Sequence, residues 1–252
     1  MGLEYPALFA AALLAGALNS VAGGGSFITF PALLLSGVSP VHANATSTVA
    51  LWPGTVASVA AYRRELGAAP NLLPLTLVSL LGGGLGALLL LHTPAATFSR
   101  LVPYLLLIAT LLFAFSKQIT ARLPRLDMAS GSSRRTLAAV LATQLVIASY
   151  GGYFGGGIGI LMLAVMGLMG LTDINQMNGL KTLLASAING VAVVAFVLAG
   201  AVEWPQALVM LAGGIIGGYG GAAVARRLDP RLIRRFALGV ACTMTAYFFI
   251  HG

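Results

Sequence analysis

Long apolar runs, separated by short polar or glycine-containing breaks, make up almost the whole chain. Most runs are long enough for a helix to cross a hydrocarbon core about 30 Å thick at about 1.5 Å per residue. They lack the alternation of polar and apolar residues that is typical of a barrel strand. The pattern predicts an all-α integral membrane protein with about ten transmembrane or partly penetrating helices. These occupy residues 5–22, 26–36, 41–62, 72–91, 98–116, 135–150, 158–171, 176–200, 205–224 and 232–250.

One polar stretch, residues 117–134, has the composition of a linker, with Pro124 and the string Ser130-Gly131-Ser132-Ser133. It divides the runs five and five, which predicts a first transmembrane repeat over 1–116, a cytoplasmic linker and a second repeat over 135–252. Landmarks recur in the same order in both halves, at spacings between 132 and 136 residues. Chance matching of glycines is the alternative, and the shared order argues against it. The matched pairs are Gly23 with Gly155, Asn44 with Asn178, Gly82 with Gly217, and Pro94 with Pro230.

Composition and charge support a membrane location. Of 252 residues, 58% are hydrophobic and 8% are charged, whereas about a quarter of the residues in a soluble domain are charged. The net charge of +8 arises mainly in connections 63–64, 117–135 and 226–235, which hold 12 of the 14 lysines and arginines. Basic connections face the cytoplasm. The pattern therefore predicts how the chain is oriented in its membrane, with both termini outside, rather than a nucleic-acid-binding surface.

The charges of the connections also predict how the two halves are related. With ten crossings, all three basic connections lie on one side of the membrane. The connection after the third run is basic, whereas its counterpart after the eighth run carries Glu203. Such opposite charge indicates two repeats inverted across the bilayer. Runs 26–36 and 158–171 are short enough to enter and return instead, but eight crossings would put 226–235 outside, against the charge rule.

Each half carries a glycine triplet, Gly23–Gly25 or Gly155–Gly157, directly before a short apolar run. Irregular backbone at membrane depth is tolerated only where it packs in protein or lines a cavity. Glycine-broken segments at corresponding places in two halves point to the binding site of a secondary transporter. Free N–H groups at the start of a helix would suit an anion. The alternative is that the triplets only allow close helix packing, as we expect for residues 82–84 and 213–221.

Polar side chains recur at helical spacing on two corresponding runs. Lys181 lies one turn into the second of these runs. A charge within the membrane indicates a functional site, here with an anionic partner, although the side chain could instead reach the cytoplasmic interface. The carboxylates lie in loops or at run edges and Cys242 is alone, so we predict no metal site, cofactor or acidic relay. The stripes are Asn44, Ser47, Thr48, Thr55 and Ser58, then Asn178, Thr182, Ser186 and Asn189.

Two further features belong to run 41–62. Pro53, which follows Trp52, frees a backbone carbonyl near the middle of the run and permits a kink. His42 could titrate near neutral pH, at a predicted interface.

Three motifs resemble those of the sulfite exporter TauE/SafE family, also called the toluene sulfonate uptake permease family. They are N-S-V-A-G-G-G-S-F-I-T-F-P at 19–31, H-A-N-A-T-S-T at 42–48 and G-G-Y-F-G-G-G-I-G at 151–159. The likeness covers essentially the whole chain and implies a prokaryotic inner-membrane transporter of sulfonates such as sulfoacetate, or of sulfite. It also implies that residues of both motif regions line the site. In the first half these are Asn19, Gly23, Gly24, Gly25, Ser26, Asn44, Thr46 and Ser47.

The second half departs from the first because Ile158, not serine, follows its triplet, and because it adds Lys181. We expect a carrier that moves a small anion by alternating access within a lipid bilayer. The sequence leaves open whether the carrier forms a homo-oligomer. A membrane-embedded anion-binding or sensor subunit without transport is the alternative. A membrane enzyme is disfavoured, since no nucleophile, base and metal constellation is present. The predicted substrate-binding residues are Asn19, Gly24, Gly25, Ser26, Asn44, Ser47, Thr48, Gly156, Gly157, Asn178, Lys181, Thr182 and Asn189.

Overall fold

A computed structural model describes residues 4–21, 24–66, 71–122, 134–171, 173–225 and 230–251. Within these ranges the protein is all helical, as predicted, and ten long helices correspond to the ten apolar runs. The additional element, α4, is one turn that follows α3. In chain order the helices are α1 (Glu4–Val21), α2 (Ser26–Leu35), α3 (Pro40–Ala61), α4 (Arg63–Leu66), α5 (Leu72–His92), α6 (Ala95–Arg122), α7 (Arg134–Tyr153), α8 (Ile158–Leu168), α9 (Ile174–Leu198), α10 (Trp204–Ala225) and α11 (Pro230–His251).

Several helices have the length and apolar character of membrane spans. In the described part of the chain, four segments are long and apolar enough to cross a bilayer: Leu72–His92, Ala95–Leu112, Arg134–Tyr153 and Asn175–Leu198. The outer face of α5 is a ridge of leucines spaced four residues apart, each more than half exposed. Hydrocarbon can surround such a surface without cost, whereas water cannot. The ridge consists of Leu73, Leu77, Leu81, Leu85 and Leu89.

Both ends of the predicted linker lie within helices. The α6 helix continues to Arg122, six residues beyond the predicted end at Ser116, because no proline or glycine follows until Pro124 and a helix need not stop where the apolar run does. Arg134, the last residue of the predicted linker, is the first residue of α7. Residues 123–133, including the Ser130–Ser133 string, lie outside the described residues, as do Gly23, Thr172 and the basic pair Arg226 and Arg227.

Glycines bring the first helix of each half against the fourth long helix of the other half. Gly217 of α10 packs on the Leu13 carbonyl of α1, and Gly86 of α5 packs on the Ser149 carbonyl of α7. In each case a β-carbon would overlap the facing backbone. A β-carbon on Gly82 or Gly213 would overlap in the same way, and one on Gly83 would meet the Ile188 backbone of α9. The packing role predicted for residues 82–84 and 213–221 is therefore confirmed for Gly82, Gly83, Gly213 and Gly217.

The contacts also give the directions of these helices. On α10, Gly213 lies against Phe9 and Gly217 against Leu13, so α10 and α1 run parallel. Further along the chain, Gln144 of α7 donates to Ser79 of α5 at 2.8 Å. Eight residues later on α7, Gly152 packs on Gly83, so α5 and α7 also run parallel.

The third long helices of the two halves, α3 and α9, cross each other in opposite directions. Near the start of α3, Thr46 accepts a hydrogen bond from the Glu203 N–H just beyond the end of α9, at 3.0 Å. At the middle, the Trp52 indole donates to the Ser186 carbonyl at 3.0 Å. Past the end of α3, Tyr62 lies against Gly179, near the start of α9. The helix continues through Pro53 without interruption.

Candidate functional site

The first glycine turn is tied back to α1. Gly24 adopts φ +94°, which only glycine reaches without strain. The Gly25 N–H donates to Asn19 Oδ1 at 2.7 Å, and a β-carbon on Gly25 would approach the Ala15 carbonyl to 2.7 Å. Ser26 is the first residue of α2. The structure thus brings Asn19, Gly24, Gly25 and Ser26 together. The Gly25 N–H, predicted to be free for an anion, is bonded by Asn19 instead.

The hydroxyls of the α3 stripe are partnered within the protein. Ser47 Oγ lies 2.6 Å from Thr29 Oγ1 of α2, and both side chains are buried. Thr48 Oγ1 instead donates to the Asn44 carbonyl one turn back, at 2.8 Å. Thr55 and Ser58 likewise bond carbonyls of their own helix, which is the common state of hydroxyls in membrane helices.

The second glycine turn is held through its carbonyl. The Tyr150 hydroxyl donates to the Gly156 carbonyl at 2.8 Å, and Gly155 and Gly157 adopt φ +81° and +76°. Among the described residues, no protein acceptor bonds the N–H groups of Gly156 and Gly157. These groups stand at the start of α8, where the helix dipole is positive. The two turns therefore differ, because the first has an N–H bonded by Asn19.

Lys181 lies beside the start of α8. Its side chain passes Gly159, where an added β-carbon would be 3.3 Å from Lys181 Cδ. Its ammonium donates to Asn178 Oδ1 at 2.9 Å. Thr182 Oγ1 donates to the Asn178 carbonyl at 2.7 Å. The second-half candidates Asn178, Lys181 and Thr182 thus form one cluster next to the helix that follows the second glycine turn.

Asn44 links the first half to the second glycine turn. It is 4% exposed, and its Nδ2 donates at 3.2 Å to the carbonyl of Tyr153, two residues before Gly155. Next to this bond the Phe30 and Phe154 rings pack edge to face, with centroids 5.5 Å apart. The landmark asparagine of α3 therefore contacts the chain that leads into the second glycine turn.

Sequence reasoning missed several residues that join these parts. Thr29, Tyr150 and Tyr153 are partners of predicted residues but were not singled out, because a hydroxyl or carbonyl in an apolar run has no sequence signature of its partner. Trp52 was interpreted only as part of a kink. Asn189, half-buried on α9, makes no side-chain hydrogen bond to the described residues.

These observations define a multi-pass membrane protein with two glycine turns, in which Asn44 of α3 bonds the chain that leads into the second turn and a polar cluster on α9 lies beside the helix that follows it. A model of the family described as Sulfite exporter TauE/SafE matches residues 8–248. The chain belongs to this family, and the resemblance read from its motifs is confirmed. No solved structure matches the chain.

Three similar proteins are membrane transporters by name. A probable membrane transporter protein of Haemophilus influenzae is 29% identical over 245 residues, covering 95% of this chain and 92% of its own. The probable membrane transporter protein ORF9 of Sinorhizobium sp is 31% identical, covering 90% of this chain and 85% of its own. The probable membrane transporter protein YfcA of Escherichia coli K12 is 28% identical, covering 95% and 87%. The family and these relatives indicate a membrane transporter.

Proposed function

We propose that this protein is a secondary transporter of small sulfur-containing anions, either sulfonates such as sulfoacetate or sulfite, and that it works by alternating access. The observation that carries the proposal is the position of Lys181, whose side chain passes the first turn of α8 next to the second glycine turn. A cation within the membrane is costly unless a partner of opposite charge or a polar group compensates it. Asn178 supplies one polar contact, and an anionic substrate would supply the charge.

Anion recognition in this proposal divides unequally between the halves. The second half offers the N–H groups of Gly156 and Gly157, the positive end of α8 and the Lys181 ammonium, all of which favour a sulfonate or sulfite oxygen. The first half holds this arrangement, because Asn44 fixes the Tyr153 carbonyl just before the glycines. The corresponding turn of the first half consists of Asn19, Gly24, Gly25 and Ser26. Asn189 would contribute a polar side chain to the lining of the site.

The proposed mechanism needs two inverted repeats that rock against each other. Three observations support inversion. Corresponding helices α3 and α9 are antiparallel, as inversion requires. Trp52 bonds the carbonyl of Ser186, 134 residues later, which is the spacing that relates Asn44 to Asn178. A residue that touches its own counterpart lies close to a pseudo-two-fold axis. In the proposed repeats α1 corresponds to α7 and α10 corresponds to α5. A two-fold axis would therefore turn the packed pair α1–α10 into the packed pair α7–α5, and both pairs are present.

Orientation follows from charge. We propose that the ends of α3 and α6 and the α10–α11 connection face the cytoplasm, since these carry the basic clusters. Lys181, near the start of α9, would then lie on the cytoplasmic side of the crossing with α3. The termini would lie outside a cell inner membrane.

Substitution of Lys181 tests the site. We expect Lys181→Ala to weaken sulfoacetate or sulfite binding by roughly ten-fold to a hundred-fold, because hydrogen bonds to charged groups contribute about 1.5–3 kcal/mol. The matched control is Arg100→Ala, which removes an exposed cation of α6. Binding is measured by calorimetry on purified protein and transport by uptake of labelled anion into proteoliposomes. Equal effects of the two substitutions would remove Lys181 from the site, and binding without flux would favour the sensor alternative.

A further inference from the structure

An ion pair joins the start of α3 to the connection that follows α9. His42 Nδ1 lies 2.8 Å from Glu203 Oε1, and the two side chains are 40% and 42% exposed. Since the residues are 161 positions apart, the pair links the first half of the chain directly to the second. Partial exposure lets protons reach both groups.

Glu203 is held against α3 by a second bond. Its backbone N–H donates to Thr46 Oγ1 at 3.0 Å, and Thr46 is fully buried. The preceding residues Ala201 and Val202 are 4% and 7% exposed. The connection thus covers this end of the α3–α9 pair, and the His42 pair lies at its outer edge.

The ion pair lies at one end of the crossing. His42 is ten residues before Trp52, which corresponds to about 15 Å along a helix, half of a hydrocarbon core about 30 Å thick. At the opposite end, the β-carbon position of Gly179 on α9 lies 3.2 Å from Tyr62 Cβ, 3.6 Å from the Tyr62 carbonyl oxygen and 3.7 Å from a methyl carbon of Leu66. Among the described residues no ion pair joins the helices at that end, whereas a titratable pair joins them at the His42 end.

The titratable groups near this end are few in the described part of the chain. The α2 helix, which packs on α3, has no ionisable side chain, and α10, which also packs on α3, has no Asp, Glu, Lys, Arg or His. Glu4 of α1 lines a separate cleft with Ala32 and Ser36. Arg100 of α6 is exposed. Lys181, on α9, is near the other end of the crossing with α3. Glu203 is therefore the carboxylate that faces His42.

We propose that His42 and Glu203 form a proton-binding latch that closes the end of the α3–α9 pair away from the basic connections. The proposal rests on the transport function proposed above. The 2.8 Å contact places the imidazole where a bound proton makes it the cationic partner of the Glu203 carboxylate. The latch is therefore tighter when the pair holds this proton and looser when the proton is lost, so opening of this end follows the proton concentration on its own side.

The test measures access to Val202, which the closed connection buries. Cys242, the single cysteine, is first replaced by serine, and Val202→Cys is then labelled with a membrane-impermeant maleimide. Labelling is normalised to Ala199→Cys, which is exposed on the same connection, so that the pH dependence of the thiol cancels. We expect normalised labelling to rise about twofold to fivefold from about pH 5.5 to about pH 8, the range expected of a partly exposed ion pair.

His42→Gln and Glu203→Gln should each abolish this pH dependence, because each keeps a hydrogen-bonding side chain but removes a titrating partner. His92→Gln is the matched control, since His92 is an exposed histidine that bonds its own helix through the Leu88 carbonyl. It should leave the pH dependence intact. Flat labelling in the parent protein, or unchanged pH dependence in both latch variants, would overturn the proposal. Labelling needs no substrate, so failure of sulfonate transport would not be mistaken for failure of the latch.

Discussion

At the scale of single residues, the hydrogen bonds of Thr29 and Ser47 show the structural role of a predicted site residue. Thr29 Oγ1 donates to the Gly25 carbonyl at 3.2 Å, which uses its one proton. Ser47 must therefore be the donor in its 2.6 Å bond with Thr29. A chain of bonds runs from α3 through α2 to the first glycine turn. Ser47 thus anchors that turn, which is a structural role additional to the substrate contact predicted for it.

Replacing Ser47 tests this anchoring. We expect Ser47→Ala to lower the free energy of unfolding by about 1 kcal/mol, because an inter-helix hydrogen bond is lost while Thr29 keeps its own acceptor. Thr48→Val is the control and should be nearly neutral, since Thr48 bonds only its own helix. The thermal midpoint in detergent reports both. An unchanged midpoint together with weaker sulfonate binding would instead make Ser47 a direct ligand.

At the scale of helices, two glycine seams set the architecture. In lipid, helices gain little from burying apolar surface against each other, so close backbone contact and dispersion must hold them together. The α1–α10 and α5–α7 pairs provide this contact through Gly213 and Gly217 and through Gly82, Gly83 and Gly86. Each seam joins one half of the chain to the other, so the halves cannot pack independently.

A methyl group added to a seam should separate its helices. We expect Gly86→Ala to cost about 1–3 kcal/mol or more, because the β-carbon meets the Ser149 carbonyl and the Tyr153 N–H, which are rigid backbone. Gly239→Ala in α11 is the control, since nothing lies within 4 Å of its β-carbon position. Yield of monodisperse protein and thermal midpoint distinguish the two. Equal tolerance would mean that α5 and α7 are not in backbone contact.

At the scale of the whole molecule, the directions of the packed helices and the distribution of charge both support the proposed topology. If α1 and α10 are parallel and α3 and α9 antiparallel, strict alternation along the chain puts the ends of α3, α6 and α10 on one side. The basic residues cluster at these three ends. In this proposed topology α2 and α8, the shortest of the ten long helices, connect opposite sides rather than return to the side from which they enter.

Cysteine labelling in intact cells checks this topology. In the Cys242→Ser background, we expect Arg64→Cys and Arg235→Cys to be labelled only after the membrane is opened, because basic ends face the cytoplasm. Glu4→Cys should be labelled from outside. All three positions are exposed in the structure. Labelling of Arg64→Cys and Arg235→Cys from different sides would contradict the inverted arrangement.

The sequence by itself determined the helices, their breaks and the sorting of charge. In a bilayer each helix must satisfy its own backbone hydrogen bonds, so apolar length and glycine or proline positions nearly suffice to define the elements. The three family motifs are contiguous stretches of sequence, so they too can be recognised without the tertiary structure. The α6 extension to Arg122 was missed because a helix can continue beyond its apolar run into water.

Only the tertiary structure decided which polar groups meet. Ser47 bonds a residue 18 positions away, Asn44 one 109 away, Trp52 one 134 away and His42 one 161 away. Such partners depend on how glycine seams align the helices, which no local pattern encodes. The same packing bonded the Gly25 N–H to Asn19 while leaving those of Gly156 and Gly157 without a described acceptor, so two similar motifs acquired different chemistry.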